Sequence, residues 1–68
     1  MFAIKNKDGL YYTKDGGFGG RWTTAICIAQ KYTYADAQKS ATRHNAEIVE
    51  VDMYASGKGG YLFREKTN

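Results

Sequence analysis

The sequence predicts an α+β fold, an antiparallel sheet of three to four strands with one α-helix packed on one face. Three observations carry that reading. Short alternating or β-branched segments are separated by Asn, Asp and Gly turn signals. One alanine-rich segment has helical spacing behind a Thr cap. A run with strict alternation, Ala46 to Met53, follows that helix directly. A chain of 68 residues buries only about 60% of the surface it exposes when unfolded, enough for one modest core and a single domain.

Phe2-Ala3-Ile4-Lys5 alternates and reads as the first strand, with Phe2 and Ile4 toward the core. Asn6-Lys7-Asp8-Gly9 has type I turn chemistry, Asn first and Gly last. Leu10 to Thr13 is then the return strand of a hairpin, closed by Lys14-Asp15-Gly16-Gly17. Glycines on both sides of Phe18 predict a loose loop carrying an exposed aromatic. Thr23 to Ile28 is β-branched and apolar, which predicts a strand, with Trp22 as a lid on the core. Cys27 lies in that apolar run and reads as an inert buried thiol.

Thr33 is positioned to cap a helix, with Asp36 three residues on as a shortened capping box. The helix runs from Tyr34 to His44 and ends at Asn45, a suitable residue for a left-handed stop. At 100° per residue Tyr34, Ala37, Ala41 and His44 share the inner face, while Asp36, Lys39 and Arg43 share the outer one. In the next strand Val49, Val51 and Met53 point one way and Glu50 and Asp52 the other, which predicts one buried and one wet face. Ser56 to Gly60 reads as a flexible link. Beyond it, Tyr61 to Arg64 is either a final edge strand or a tail that orders on binding.

Composition narrows the function classes. The lone Cys27 and lone His44 exclude an intramolecular disulfide and a Cys-rich zinc site. Missing disulfides in so small a chain favour a reducing compartment. No apolar run is long enough for a transmembrane helix, and the N-terminal residues lack a signal-peptide pattern, so the expectation is a cytoplasmic protein without membrane contact. The formal net charge of +3 is small for a dedicated nucleic-acid binder, and weak nucleic-acid contact is allowed rather than implied.

The catalytic motifs fail on geometry or spacing. Asp36, Ser40 and His44 fall at i, i+4 and i+8, but the outer pair of such a row lies about 12 Å apart along a straight helix. No Asp–His bond can therefore orient the imidazole. Gly57-Lys58 resembles the end of a phosphate loop, yet Asp52 stands where the first Gly belongs and Gly59 where Ser or Thr belongs. Glu47, Glu50 and Asp52 form an acidic stretch without a third ligand on one strand face. The expectation is a non-enzyme with no cofactor and no metal.

Surface recognition is what remains. Lys39 and Arg43 form an i, i+4 pair on the outer helix face, with Lys31 just before it. They suit an acidic protein or a phosphate, or simply keep that face soluble. Phe18, Tyr54, Tyr61 and Phe63 lie in loop-like segments and are candidate interface anchors, or packing under loops. The partner-binding set read from the sequence is Phe18, Arg21, Lys31, Lys39, Arg43, Lys58, Tyr61 and Arg64.

The order GLYYT (Gly9 to Thr13), Trp22, the Thr33-led helix YADAQKSATRH and the strand AEIVEV (Ala46 to Val51) resembles small phage-encoded proteins, including anti-CRISPR inhibitors. It covers most of residues 1 to 53 and is structural rather than catalytic, so it assigns no functional residue. The resemblance implies a protein of the bacterial host cytoplasm that blocks a host or defence protein or ribonucleoprotein complex by steric contact. Its alternative, from the charge and the exposed aromatics, is a small basic nucleic-acid-binding protein. An unpaired edge strand leaves monomer and homodimer both open.

Overall fold

The structure, a computed structural model, describes residues 1–14 and 21–66. Five strands form one antiparallel sheet: β1 (Phe2–Lys5), β2 (Tyr11–Thr13), β3 (Arg21–Thr23), β4 (Glu47–Ser56) and β5 (Gly60–Glu65). Their spatial order is β3-β2-β1-β4-β5. A 3-10 turn (Ile26–Ile28) and one helix, α1 (Tyr34–His44), separate β3 from β4. The α+β class matches the sequence expectation, and the strand count exceeds it. Tyr61 to Arg64 lies in a paired strand, which resolves the choice between strand and tail.

Local chemistry explains the turns and caps. Asn6 Oδ1 accepts from the N–H groups of Asp8 and Leu10, and the Gly9 N–H donates to the Asn6 carbonyl. Gly9 sits at φ +80°, which a side chain would strain. Thr33 caps α1, its Oγ1 accepting from the Asp36 N–H at 3.3 Å. Asn45 stops the helix in the left-handed region, φ 52° and ψ 49°. Its N–H donates to Thr42 and that of Ala46 to Ala41, the paired bonds of a Schellman motif.

The two sheet faces bury different clusters. Ile4, fully buried, and Tyr12 meet Ala37 and Ala41 of α1, with Phe2, Trp22, Tyr32, Ala46 and Ile48 around them. Small alanine side chains let the helix backbone approach the sheet closely. Ser40 is also buried on this face, its hydroxyl bonded to the Tyr32 hydroxyl at 3.0 Å. Tyr34, expected on the inner face, is exposed at the rim with its ring against Phe2 at 5.1 Å. Trp22 does lie over this cluster, edge-on to Tyr12.

The opposite face holds Ala3, Ala29 and Val51 at its centre, packed by Tyr11, Ile26, Val49 and Phe63. The expectation of one wet face therefore fails. The 3-10 turn folds across this side and supplies the cover. The strand expected over Thr23 to Ile28 ends at Thr23, because the Thr23 Oγ1 accepts from the Ala25 N–H and turns the chain. With three residues per turn, Ile26 and Ala29 face the sheet while Ile28 and Cys27 face outward. Cys27 is thus exposed, not buried as its apolar neighbours suggested.

The alternation in β4 is real, but its burial changes along the strand. β1 pairs β4 only from Glu47 to Glu50, whereas β5 pairs it from Val51 to Ser56. Past Asp52 the two strands continue as a two-stranded arm closed by a turn over Gly57, Lys58 and Gly59, the last at φ +75°. Met53, expected in the core, is 52% exposed because nothing packs over the arm there. Ser56, expected to begin a flexible link, is the last residue of β4.

Candidate functional site

The sequence-predicted contact residues fall into two separate groups. Lys58, Tyr61 and Arg64 belong to the β4–β5 arm. Lys39 and Arg43 project from α1. Arg21 lies exposed on the edge strand β3. Phe18 lies outside the described residues.

Lys31, the remaining residue of that set, is engaged within the fold. Its ammonium donates to the carbonyls of Ile26, Ala29 and Cys27 at 2.8, 2.7 and 3.3 Å. It also lies 4.4 Å from the centroid of the Phe63 ring. The Ile26 carbonyl also accepts from the Ala29 N–H at 3.2 Å, closing the 3-10 turn around this ammonium. Burial lowers the Lys31 pKa from the ordinary lysine value. Phe63 is correspondingly half-buried under this cation and belongs to the core edge rather than to a binding surface.

The arm is the larger apolar feature. Tyr61, Met53, Leu62 and Tyr54 are 68%, 52%, 46% and 37% exposed. The pairs Tyr54↔Leu62 and Ala55↔Tyr61 fix their faces. Leu62 and Tyr54 therefore sit side by side on one face, and Tyr61 on the other with Met53. Arg64 stacks on Tyr54, its guanidinium carbon 4.7 Å from the ring centroid. From Met53 to Arg64 the chain carries Lys58 and Arg64 and no acid.

A three-group clasp fixes the base of the arm. Glu65 Oε1 accepts from the Tyr11 hydroxyl at 2.6 Å and from the Lys5 ammonium at 2.8 Å. These two donors hold the Glu65 carboxyl below its usual pKa. Burial, and then the bond to Glu65, push the Tyr11 phenol up to about 12. The bond to Glu65 raises the Lys5 ammonium. Lys66 adds an ion pair to Glu50 at 3.2 Å, and its N–H donates to the Glu50 carbonyl. The body of the protein thus ends in an anchored strand, and the arm begins beyond it.

The second group lines a cleft of about 190 Å³ between the end of β2 and the outer side of α1. Lys14, Lys39 and Arg43 converge on it, with Asp36 as its one carboxylate among the described residues. Asp36, Ser40 and His44 all border this cleft, but not as a catalytic row. Ser40 bonds Tyr32, and the His44 ring stacks on Tyr12 with centroids 4.4 Å apart. Lys14 and Tyr32 were missed in the sequence. Lys14 reads there as a turn residue, and only the packing of the hairpin against α1 brings it to Arg43. Among the described residues no group of three His, Cys, Asp or Glu side chains is placed to hold a metal ion. Nor is any helix there long and apolar enough to cross a membrane.

No protein-family model, curated protein or solved structure matches the chain at a significant level. The site is therefore read from its own geometry.

Proposed function

We propose that the chain is a small phage-type binding protein that inhibits a bacterial host or defence complex by steric contact, with the β4–β5 arm as its contacting element. The observation that carries this reading is the exposure of Tyr61, Met53, Leu62 and Tyr54 on an arm whose base is clamped. Aromatic residues and Arg dominate interface energies, and Arg64 over Tyr54 joins both types in one anchor. An acid-free arm with cations at its turn and base suits a protein surface that is apolar at its centre and acidic at its rim. A standard interface takes about 800 Å² from each partner, which is a modest share of the 4886 Å² this chain exposes.

The test is capture from bacterial lysate by the tagged chain, split into nuclease-treated and untreated halves, beside a Y61S/L62S variant. Both substituted side chains are exposed, so the fold is retained. The expected result is a stoichiometric protein complex in both halves that the variant loses. Capture that ignores the arm substitutions overturns the reading. A second reading, a small nucleic-acid-binding protein, draws on the Arg64–Tyr54 stack beside Tyr61, which offers a base-stacking surface. Recovery of nucleic acid alone, lost on nuclease treatment, would favour it.

A further inference from the structure

We propose that the cleft between Lys14 and helix α1 binds the phosphate group of a small phosphorylated molecule, a function separate from the contact made by the arm. Three cations, Lys14, Lys39 and Arg43, border a space of about 190 Å³ against one carboxylate among the described residues, Asp36. Their formal excess of two positive charges matches a phosphate monoester, which carries about −1.5 to −2 near pH 7. Among the described residues none of these three side chains forms an ion pair or hydrogen bond of its own. Like charges gathered without partners repel one another, and an anion between them relieves that repulsion.

The neutral groups of the cleft fit the same ligand. Ser40 and Tyr32 share one hydrogen bond at 3.0 Å. Two hydroxyls joined by one bond keep one O–H donor in reserve, whichever of them donates. Ser40 is buried, so this pair sits at the floor and the long cations at the rim. A guanidinium supplies paired N–H donors that match two phosphate oxygens. The cleft is smaller than the roughly 300–1,000 Å³ typical of sites that enclose a drug-sized ligand. It accommodates a phosphate and the atoms next to it, with the rest of the molecule outside.

The distribution of the other cations favours a single phosphate over a nucleic-acid backbone. Lys5 and Lys66 are paired with Glu65 and Glu50, Lys31 is held by carbonyls and Arg64 lies on Tyr54. A strand of nucleic acid needs a track of cations along its length, whereas here three of the cations without a partner among the described residues gather at one point, with Lys7 and Lys58 away from it.

Nuclear magnetic resonance titration of the full chain with inorganic phosphate, then with ribose 5-phosphate, at constant ionic strength in chloride, tests the proposal. The expected result is saturable shifts at the amides of Lys14 and of Lys39 to His44, with a Kd on the order of 1 mM. Arg43→Gln should weaken binding about tenfold, and Asp36→Asn should tighten it about threefold. Both positions are exposed on the helix, and circular dichroism checks that the fold persists. Shifts that stay linear and equal those caused by chloride overturn the proposal. So does Lys58→Gln, at the far end of the arm, weakening binding as much as Arg43→Gln, since net charge alone would then be responsible. An oligothymidylate without terminal phosphates that binds more tightly than ribose 5-phosphate at the same amides would assign the cleft to a nucleic-acid backbone instead.

Discussion

Removing the Tyr11 hydroxyl tests whether the clasp at Glu65 holds the last strand to the body. Tyr11 on β2 and Glu65 on β5 are separated in the sheet by β1 and β4, yet their side chains meet at 2.6 Å over the second apolar face. Burial first, and then the bond to Glu65, hold the Tyr11 phenol at about 12 against its ordinary 10.0, which would correspond to about 2.7 kcal/mol if fully converted. Burial is the larger cause of that rise and no part of the bond, and the phenol and carboxylate are partly solvated, so the bond to Glu65 itself comes to about 1 kcal/mol. A charge-assisted hydrogen bond at a half-buried position gives a similar figure. Tyr11→Phe should therefore lower Tm by about 4–8 °C in a domain of this size. The pH dependence follows from the directions of the two shifts. The raised Tyr11 pKa contributes stability that is complete below pH 10 and lost as pH rises through about 12. The lowered Glu65 pKa contributes stability present above the ordinary Glu range and lost as pH falls through its folded value. Thermal unfolding of Y11F, E65Q and the double variant, measured from pH 3 to 12, closes the cycle. The wild-type advantage over Y11F should fade above pH 10, and the two substitutions should couple by about 1 kcal/mol. Additive losses with an unchanged alkaline profile would refute the clasp.

Two further outcomes follow from the same packing. Lys31→Met keeps the aliphatic stem but strips three carbonyls of their shared donor. It should cost about 1–3 kcal/mol and speed amide exchange in the 3-10 turn and β5, measured by hydrogen–deuterium exchange. Asn45→Gly, at φ 52°, should leave stability unchanged or raise it by up to about 1 kcal/mol in urea unfolding, whereas Asn45→Val should lower it.

What the sequence revealed was local, and what it hid depended on distant packing. The Thr33 cap, the α1 span and the Asn45 stop were legible because each depends on neighbours within one turn. The stretch after Thr23 was misread because β-branched residues suit a strand only where a partner strand exists. Here Thr23 Oγ1 diverts the chain, and the segment serves as a cover over Ala3 and Val51. Lys31 looked like a surface cation, and nothing in sequence marks three carbonyls converging on it. The cleft was half visible. Lys39 and Arg43 share a helix face by arithmetic, but Lys14 joins them only through the pairing that sets β2 beside β1 and under α1.

The partition between body and arm also bears on how so small a chain can both fold and bind. Short binding elements are hard to keep apolar and exposed unless the rest of the fold does not need them. In this chain Met53, Tyr54, Tyr61 and Leu62 are not among the buried or partly buried members of either core cluster. The clasp at Glu65 and the ion pair at Glu50 close the sheet just before the arm departs. Backbone pairing from Asp52 to Arg64 then orders the arm, with Phe63 tied to the body under Lys31. An isolated hairpin is marginal in water, so the arm's order depends on that anchored base. On the proposed reading, loosening the clasp should thus weaken arm-mediated contact, although Tyr11 and Lys5 lie at the base rather than on the arm. Arm substitutions, conversely, should abolish contact while leaving stability within about 0.5 kcal/mol of the wild type. That asymmetry separates a binding arm from one that simply completes the fold.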